Sequence, residues 1–167
     1  MSKIKLIFNP YSDRGRSGQK ASDLRAIVEE HGGADWVGTE HPTHATDLAA
    51  KAGLEGYDTV VAMGGDGTVH EVINGLMRVA PNHRPKLAIV PIGSGNDFAY
   101  ASGVNMDPIQ AMMRVFKGTA RPIDVGSIRD NNNRLEYWNN TVGIGLHGKI
   151  NIMSRKNTGL YAFIMYL

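Results

Sequence analysis

Residues 61–76 read VAMGGDGTVHEVINGL. An apolar run ends at Met63, an acid stands among glycines at positions 64–67, and Val69, Val72, Ile73 and Leu76 then recur at helical spacing. The pattern predicts a strand over 59–63 that turns sharply into a helix over 69–79, beginning near Thr68 and closed by Pro81. Glycines let backbone amides approach an anion closely, and the start of a helix carries partial positive charge. One reading of residues 64–68 is therefore a phosphate-handling turn. The plain alternative is a tight βα turn with no ligand.

Working outward, residues 3–9 suit a buried strand closed by Pro10. Ala21, Leu24, Ile27 and Val28 predict a helix over 17–30 that stops at Gly32 and Gly33. A short strand over 34–39 and a helix over 44–51 ending at Gly53 complete the upstream side. Downstream, KLAIVP at 86–91 is another buried strand. It runs into a second glycine turn, IGSGNDFAYASG, with a short helix behind it, and then into a helix over 108–117. Strands alternating with helices argue for an open α/β sheet of parallel strands joined by crossovers. After Lys117 the texture changes: strands over 121–128 and 134–142 around a polar turn at 130–133 predict a hairpin. The expected organisation is a first unit over 1–118 and the beginning of a β-rich second one over 119–167. The last residues, LYAFIMYL at 160–167, predict a helix either docked on the core or belonging to a continuation of the chain.

Composition narrows the classes. With 18 Lys and Arg against 16 Asp and Glu the net charge is only +2, and no run of like charges offers an arm for nucleic acid. Cysteine is absent, which excludes a disulfide framework and a thiolate zinc site. No apolar run approaches the roughly 20 residues that span a bilayer. A cytoplasmic protein is the simplest expectation.

Right-handed crossovers bring the loops after Met63 and Pro91 out on the same carboxyl edge of the sheet. Gly64, Gly65 and Gly67 would then share a rim with Gly93, Ser94 and Gly95. Each turn carries an aspartate, Asp66 in one and Asp97 in the other. A carboxylate beside phosphates is repulsive unless it binds Mg²⁺, organises metal-bound water or accepts a proton from an attacking hydroxyl. All three roles point to phosphoryl transfer. The structural alternative for both aspartates is a turn or helix cap, worth about 1 kcal/mol. No G-x-x-x-x-G-K-[ST] loop is present, and the lone G-x-G-x-x-G at 143–148 lacks the acidic residue that should follow it about 20 positions on.

Other polar residues carry two readings each. His70 and Glu71 fall in the first turn of the helix after GGDGT, where either could touch a ligand or simply suit the helix end. His41, His44 and Asp47 suggest a metal set or a solvated surface. Arg78, Arg84 and Lys86 suggest a face for an anionic membrane or ordinary solubilising charge. Met112 and Met113 fit core packing. His147 has no assigned role.

GGDGTVHEVINGL together with PIGSGNDFA, preceded by a strand ending in Asn9-Pro10, resembles the catalytic domain shared by soluble diacylglycerol kinases, bacterial lipid kinases, sphingosine kinases and ceramide kinases. The resemblance covers essentially the whole chain. GGDG alone is shared with NAD kinases and 6-phosphofructokinases; HEVINGL and GSGNDFA favour the lipid-kinase branch. RPIDVG at 121–126 and NNTVGIG at 139–145 resemble the opening of that family's second domain.

The resemblance implies the open, mostly parallel, three-layer sheet of the NAD kinase/diacylglycerol kinase fold. It also implies an ATP-dependent, Mg²⁺-requiring kinase that phosphorylates a lipid hydroxyl such as that of diacylglycerol. Carried over, Gly64, Gly65, Asp66, Gly67 and Thr68 line the phosphates with Gly93 and Ser94, and Asn9 and Thr39 contact the nucleotide. Asp66 is then either the proton acceptor or part of a carboxylate, water and metal network with Asp97. Asp13 stands where the family commonly has glycine, so Arg14, Arg16 and Gly18 carry over only weakly. The family's β-rich half supplies a further catalytic acid and structural metal ligands that have no counterpart in this chain, and no metal ligand is assigned. The partners implied are a lipid substrate, transient contact with a membrane surface, and a second copy of the chain in a homodimer. Two other classes compete: a nucleotide-binding module without turnover, and a kinase acting on NAD or another soluble alcohol.

Overall fold

The computed structural model describes residues 2–15, 17–143, 145, 148 and 149. The expected helix at 160–167, together with Arg16 and His147, lies outside them. Strands β1 (Ile4–Phe8), β2 (Asp35–Gly38), β3 (Thr59–Gly64) and β4 (Lys86–Pro91) form one parallel sheet in the order β2-β1-β3-β4. Helices α1 (Ser17–Glu30), α2 (His44–Leu54), α3 (Asp66–Leu76), α4 (Asp97–Ala101) and α5 (Pro108–Lys117) connect and cover it.

Side chains alternate across a strand, so each strand feeds two cores. Ile7, Val60, Ala62 and Ile89 face α2, α3 and α4, while Leu6, Val61, Met63 and Val90 face α1 and α5. The placement follows from chirality. The crossover from β1 to β2 runs one way along the sheet and those into β3 and β4 run the other, so right-handed connections put α1 on one face and α2 and α3 on the opposite one. Buried Leu24 and Val28 seal α1, and Val72, Ile73 and Leu76 seal α3. Gly75 serves the α2–α3 contact: a Cβ there would lie 2.2 Å from the Thr46 carbonyl oxygen. Met112 is fully buried, as core packing requires.

Several boundaries differ from expectation. Helix α3 begins at Asp66, earlier than Thr68 or Val69, and ends at Leu76, leaving Val79 outside. Its first turn is fixed by tertiary contact, described below. Gly53 does not stop α2; it lies in the last turn, where its missing Cβ makes room for Val79. The hairpin is real but short, β5 (Gly126–Arg129) pairing antiparallel with β6 (Leu135–Trp138). Residues 121–124 are exposed and lie outside both sheets, with Arg121 donating to the Ser102 carbonyl, so the expected strand begins only at Gly126. The hairpin docks on α3 through Asn74, whose side-chain amide donates to the Tyr137 carbonyl and accepts from the Tyr137 N–H, both at 2.9 Å.

Candidate functional site

The strand registers set Phe8 level with Gly38 and Met63, and Gly64 level with Pro91. Asn9, Thr39, Gly65 and Ile92 therefore leave the sheet along one carboxyl edge. Strand order reverses between β1 and β3, which is where open α/β sheets leave a crevice for ligands. The residues expected at the site converge there.

Asn9 is held from both sides. Its N–H donates to the Met63 carbonyl at 3.0 Å, its Oδ1 accepts from the Tyr11 N–H at 2.9 Å, and its Nδ2 donates to Thr68 Oγ1 at 3.2 Å. Thr68 is buried, and its hydroxyl sits where a Cβ on Gly64 would be, 2.2 Å away. Thr39, also buried, continues the pairing of β2 with β1 through its N–H to the Phe8 carbonyl at 2.8 Å.

The two glycine turns lie against each other. A Cβ on Gly93 would fall 2.3 Å from the Gly65 Cα, and one on Gly65 would fall 2.8 Å from the Gly95 carbonyl oxygen. None of Gly64, Gly65, Gly67, Gly93 and Gly95 has a positive φ. At Gly65 and Gly93 the role is close approach of backbone to backbone, not left-handed geometry, while Gly64 makes room for the Thr68 side chain and Gly95 lies beside Asp66 Oδ2. Gly67 is different: it is exposed, and a Cβ there would meet nothing within 4 Å. Neither packing nor backbone conformation accounts for a glycine at 67, and the open flank suits a ligand that must come close. Ser94, on the second turn, is exposed.

Asp66 ties the turns together. Its N–H donates to the Gly95 carbonyl at 3.1 Å, its Oδ2 accepts from the Asp97 N–H at 3.1 Å and its Oδ1 from the Phe98 N–H at 3.0 Å. The carboxylate thus caps α4, a neighbour's helix and not its own. Asn96 adds a bond from Nδ2 to the Gly93 carbonyl at 2.9 Å, and its Oδ1 is buried with no partner among the described residues. Asp97 is exposed at the first turn of α4. Carboxylate oxygens are the donors that Mg²⁺ takes while keeping several of its waters. Asp66 and Asp97, joined through one amide, fit that donor chemistry, and the flank of Gly67 fits the approach of a phosphate.

The structure separates other candidates from this site. Glu71 turns to α2, where Oε1 accepts from the Thr43 N–H at 3.0 Å and Oε2 from the Ala45 N–H at 3.2 Å. Thr43 there adopts φ 70°, a left-handed conformation that costs a β-branched residue on the order of 1–2 kcal/mol. His70 Nε2 meets Glu136 Oε1 on β6 at 2.9 Å. The His41 and His44 rings stack on each other and Asp47 pairs with Arg78, while no set of three or more metal-binding side chains gathers among the described residues. Arg84 caps the end of α3, donating to the Leu76 and Val79 carbonyls. Sequence reasoning passed over Asn74 and Asn96. Their signal is an amide side chain able to donate and accept at once, which becomes legible only when the backbone it serves is in view.

Comparison with known proteins bears on the family and the fold. The family model for the diacylglycerol kinase catalytic domain matches residues 3–128. Diacylglycerol kinase of Bacillus subtilis (strain 168) is 36% identical over 150 residues, which is 87% of this chain and 46% of that protein. Sphingosine kinase B of Dictyostelium discoideum is 33% identical over 127 residues, 74% of this chain and 17% of that protein. The crystal structure of a diacylglycerol kinase from Bacillus anthracis (Sterne) superposes with a TM-score of 0.67 at 30% identity, over 74% of this chain and 45% of that one. The chain spans less than half the length of each of these relatives. Among the described residues no helix is long and apolar enough to cross a membrane.

Proposed function

This chain belongs to the diacylglycerol kinase catalytic-domain family, and on that premise we propose that it supplies the nucleotide site of an ATP-dependent lipid kinase. The observation that carries the reading is the rim itself: two glycine turns in backbone contact at the switch point, with one glycine, Gly67, open to an incoming group. Gly65 and Gly93 let the turns close on each other, Gly64 makes room for the buried Thr68 behind them, and Gly67 and Ser94 face the phosphates. Asn9 and Thr39 form the adjoining wall on the nucleotide side.

Bound Mg²⁺ would neutralise charge on the transferring phosphoryl group, and the chain's own part is positioning. Asp66 uses both carboxylate oxygens to hold the second turn, which favours the network role over that of a free proton acceptor. Asp97 then offers the exposed carboxylate of the pair. The acceptor is a lipid hydroxyl such as that of diacylglycerol, reached by transient contact with a membrane surface.

Calorimetric titration with ATP, with and without Mg²⁺, tests this on the wild type and on Asp97→Asn, whose side chain is exposed and makes no hydrogen bond or ion pair among the described residues. Binding that needs Mg²⁺ and weakens by about tenfold in the variant is expected. Transfer of labelled γ-phosphate, with diacylglycerol and NAD as competing acceptors, then reads the acceptor class. Absence of ATP binding by the folded wild type would sink the proposal. Preferential labelling of NAD would move it to the soluble-alcohol class.

A further inference from the structure

The wall beside the glycine turns is pinned at two points. At one end Thr39 is paired to β1 through the Phe8 carbonyl. At the other, Thr43 sits at φ 70° with no hydrogen bond from its own side chain to cap α2. What holds Thr43 comes from α3: Glu71 accepts the Thr43 and Ala45 amides, one on each carboxylate oxygen. The same carboxylate fills the N-terminus of α2 with the protein's own negative charge, leaving that end no vacancy for a ligand phosphate.

We propose that Glu71 is a positioning residue. It keeps Thr43 left-handed and thereby sets segment 39–43, including Thr39, as the wall of the rim. Its link to binding rests on the nucleotide reading of the rim given above. The geometry makes a particular demand. If Glu71 acts by enforcing a left-handed residue 43, then glycine at 43, which adopts that conformation without a Cβ penalty, should make Glu71 dispensable. Thr43 is exposed, so glycine there removes no buried contact.

The test uses the full chain and three variants: Glu71→Ala, Thr43→Gly and the double substitution, each shown to be folded by circular dichroism at the working temperature. Glu71→Ala should weaken Mg·ATP binding by about five- to tenfold, and the double variant should recover to within about twofold of wild type. Thr43→Gly alone is the baseline for the double variant: on that background, adding Glu71→Ala should change affinity by less than about twofold. Amide chemical shifts of Thr39, Glu40 and His41 should move in Glu71→Ala and return in the double variant, while those of Asp97 and Phe98 stay in place.

Wild-type affinity in Glu71→Ala, or a loss that glycine at 43 does not repair, overturns the proposal and leaves Glu71 as a simple helix cap. Should Glu71→Ala not fold, Glu71→Gln takes its place, keeping one acceptor oxygen and showing a smaller effect in the same direction. If the wild type binds no ATP, the nucleotide reading falls by itself. The shifts at 39–41 then decide alone: movement reversed by Thr43→Gly upholds the positioning role, and no movement overturns it.

Discussion

Gly93 and Gly67 look alike in the sequence and differ in what they face. At Gly93 a methyl group would meet the Gly65 backbone at 2.3 Å, and backbone cannot swing aside as a side chain can. Gly93→Ala should therefore destabilise the fold by about 1–3 kcal/mol, seen as a lower urea midpoint. Gly67 has open space and lies inside α3. There Gly67→Ala should leave stability unchanged or raise it by up to about 1 kcal/mol. The same substitution should weaken Mg·ATP binding by tenfold or more in calorimetry, because the methyl group occupies the approach of the phosphate. Equal effects of the two substitutions on stability would contradict this division. Asp66 combines two positions within one residue: its carboxylate caps α4, as the structural reading expects, and it stands at the rim of the proposed site.

Helix α3 is the element through which the walls of the site are aligned. Three of its side chains each engage two backbone groups of a different neighbour: Asp66 on α4, Glu71 on α2 and Asn74 on β6. Asn74 acts as a substitute strand for Tyr137, so its loss leaves a donor and an acceptor unpaired. Asn74→Leu should cost about 1–3 kcal/mol. The loss should appear as faster hydrogen exchange across 126–138 while the parallel sheet keeps its protection. Uniform loss of protection over the whole chain would show instead that the hairpin and the sheet unfold as one unit. The helical repeat from Val69 to Leu76 was readable in advance because burial of one face imposes it. The first turn at 66–68 was not, since Asp, Gly and Thr are weak helix formers and it is the Gly95 carbonyl that fixes the Asp66 amide.

At the scale of the molecule, the sheet and its crossovers decide which residues meet. The edge remote from the site has its own tie, where the buried Tyr57 donates its hydroxyl to Asp35 on β2. That bond, with burial and the nearby carboxylates of Asp35 and Glu55, pushes the phenol up from 10.0 to about 12. A raised folded-state value favours the protonated form, so its contribution to stability is complete below the unfolded value and lost as pH rises through about 12. Urea midpoints of wild type and Tyr57→Phe should therefore differ at neutral pH and converge as pH is raised from about 9 toward 12. A gap that stays constant over that range would show that the hydroxyl contributes without titrating.

Much of this could be read from the chain alone. Apolar runs ending in glycine turns, set between helical repeats, determined parallel strands, their crossovers and the edge on which both turns emerge, because burial and handedness leave few alternatives. The residues expected at the rim are there for the same reason. What the linear pattern could not carry was the use of each polar group. That Glu71 serves α2, Asn74 serves β6 and Asp66 serves α4 depends on which backbone amides lie beside them after the helices pack. Such amides belong to residues 20 or more positions away in sequence. Hydrophobic periodicity is a local property and survives in the sequence; hydrogen-bond partnership is set by tertiary distance, and only the folded chain decides it.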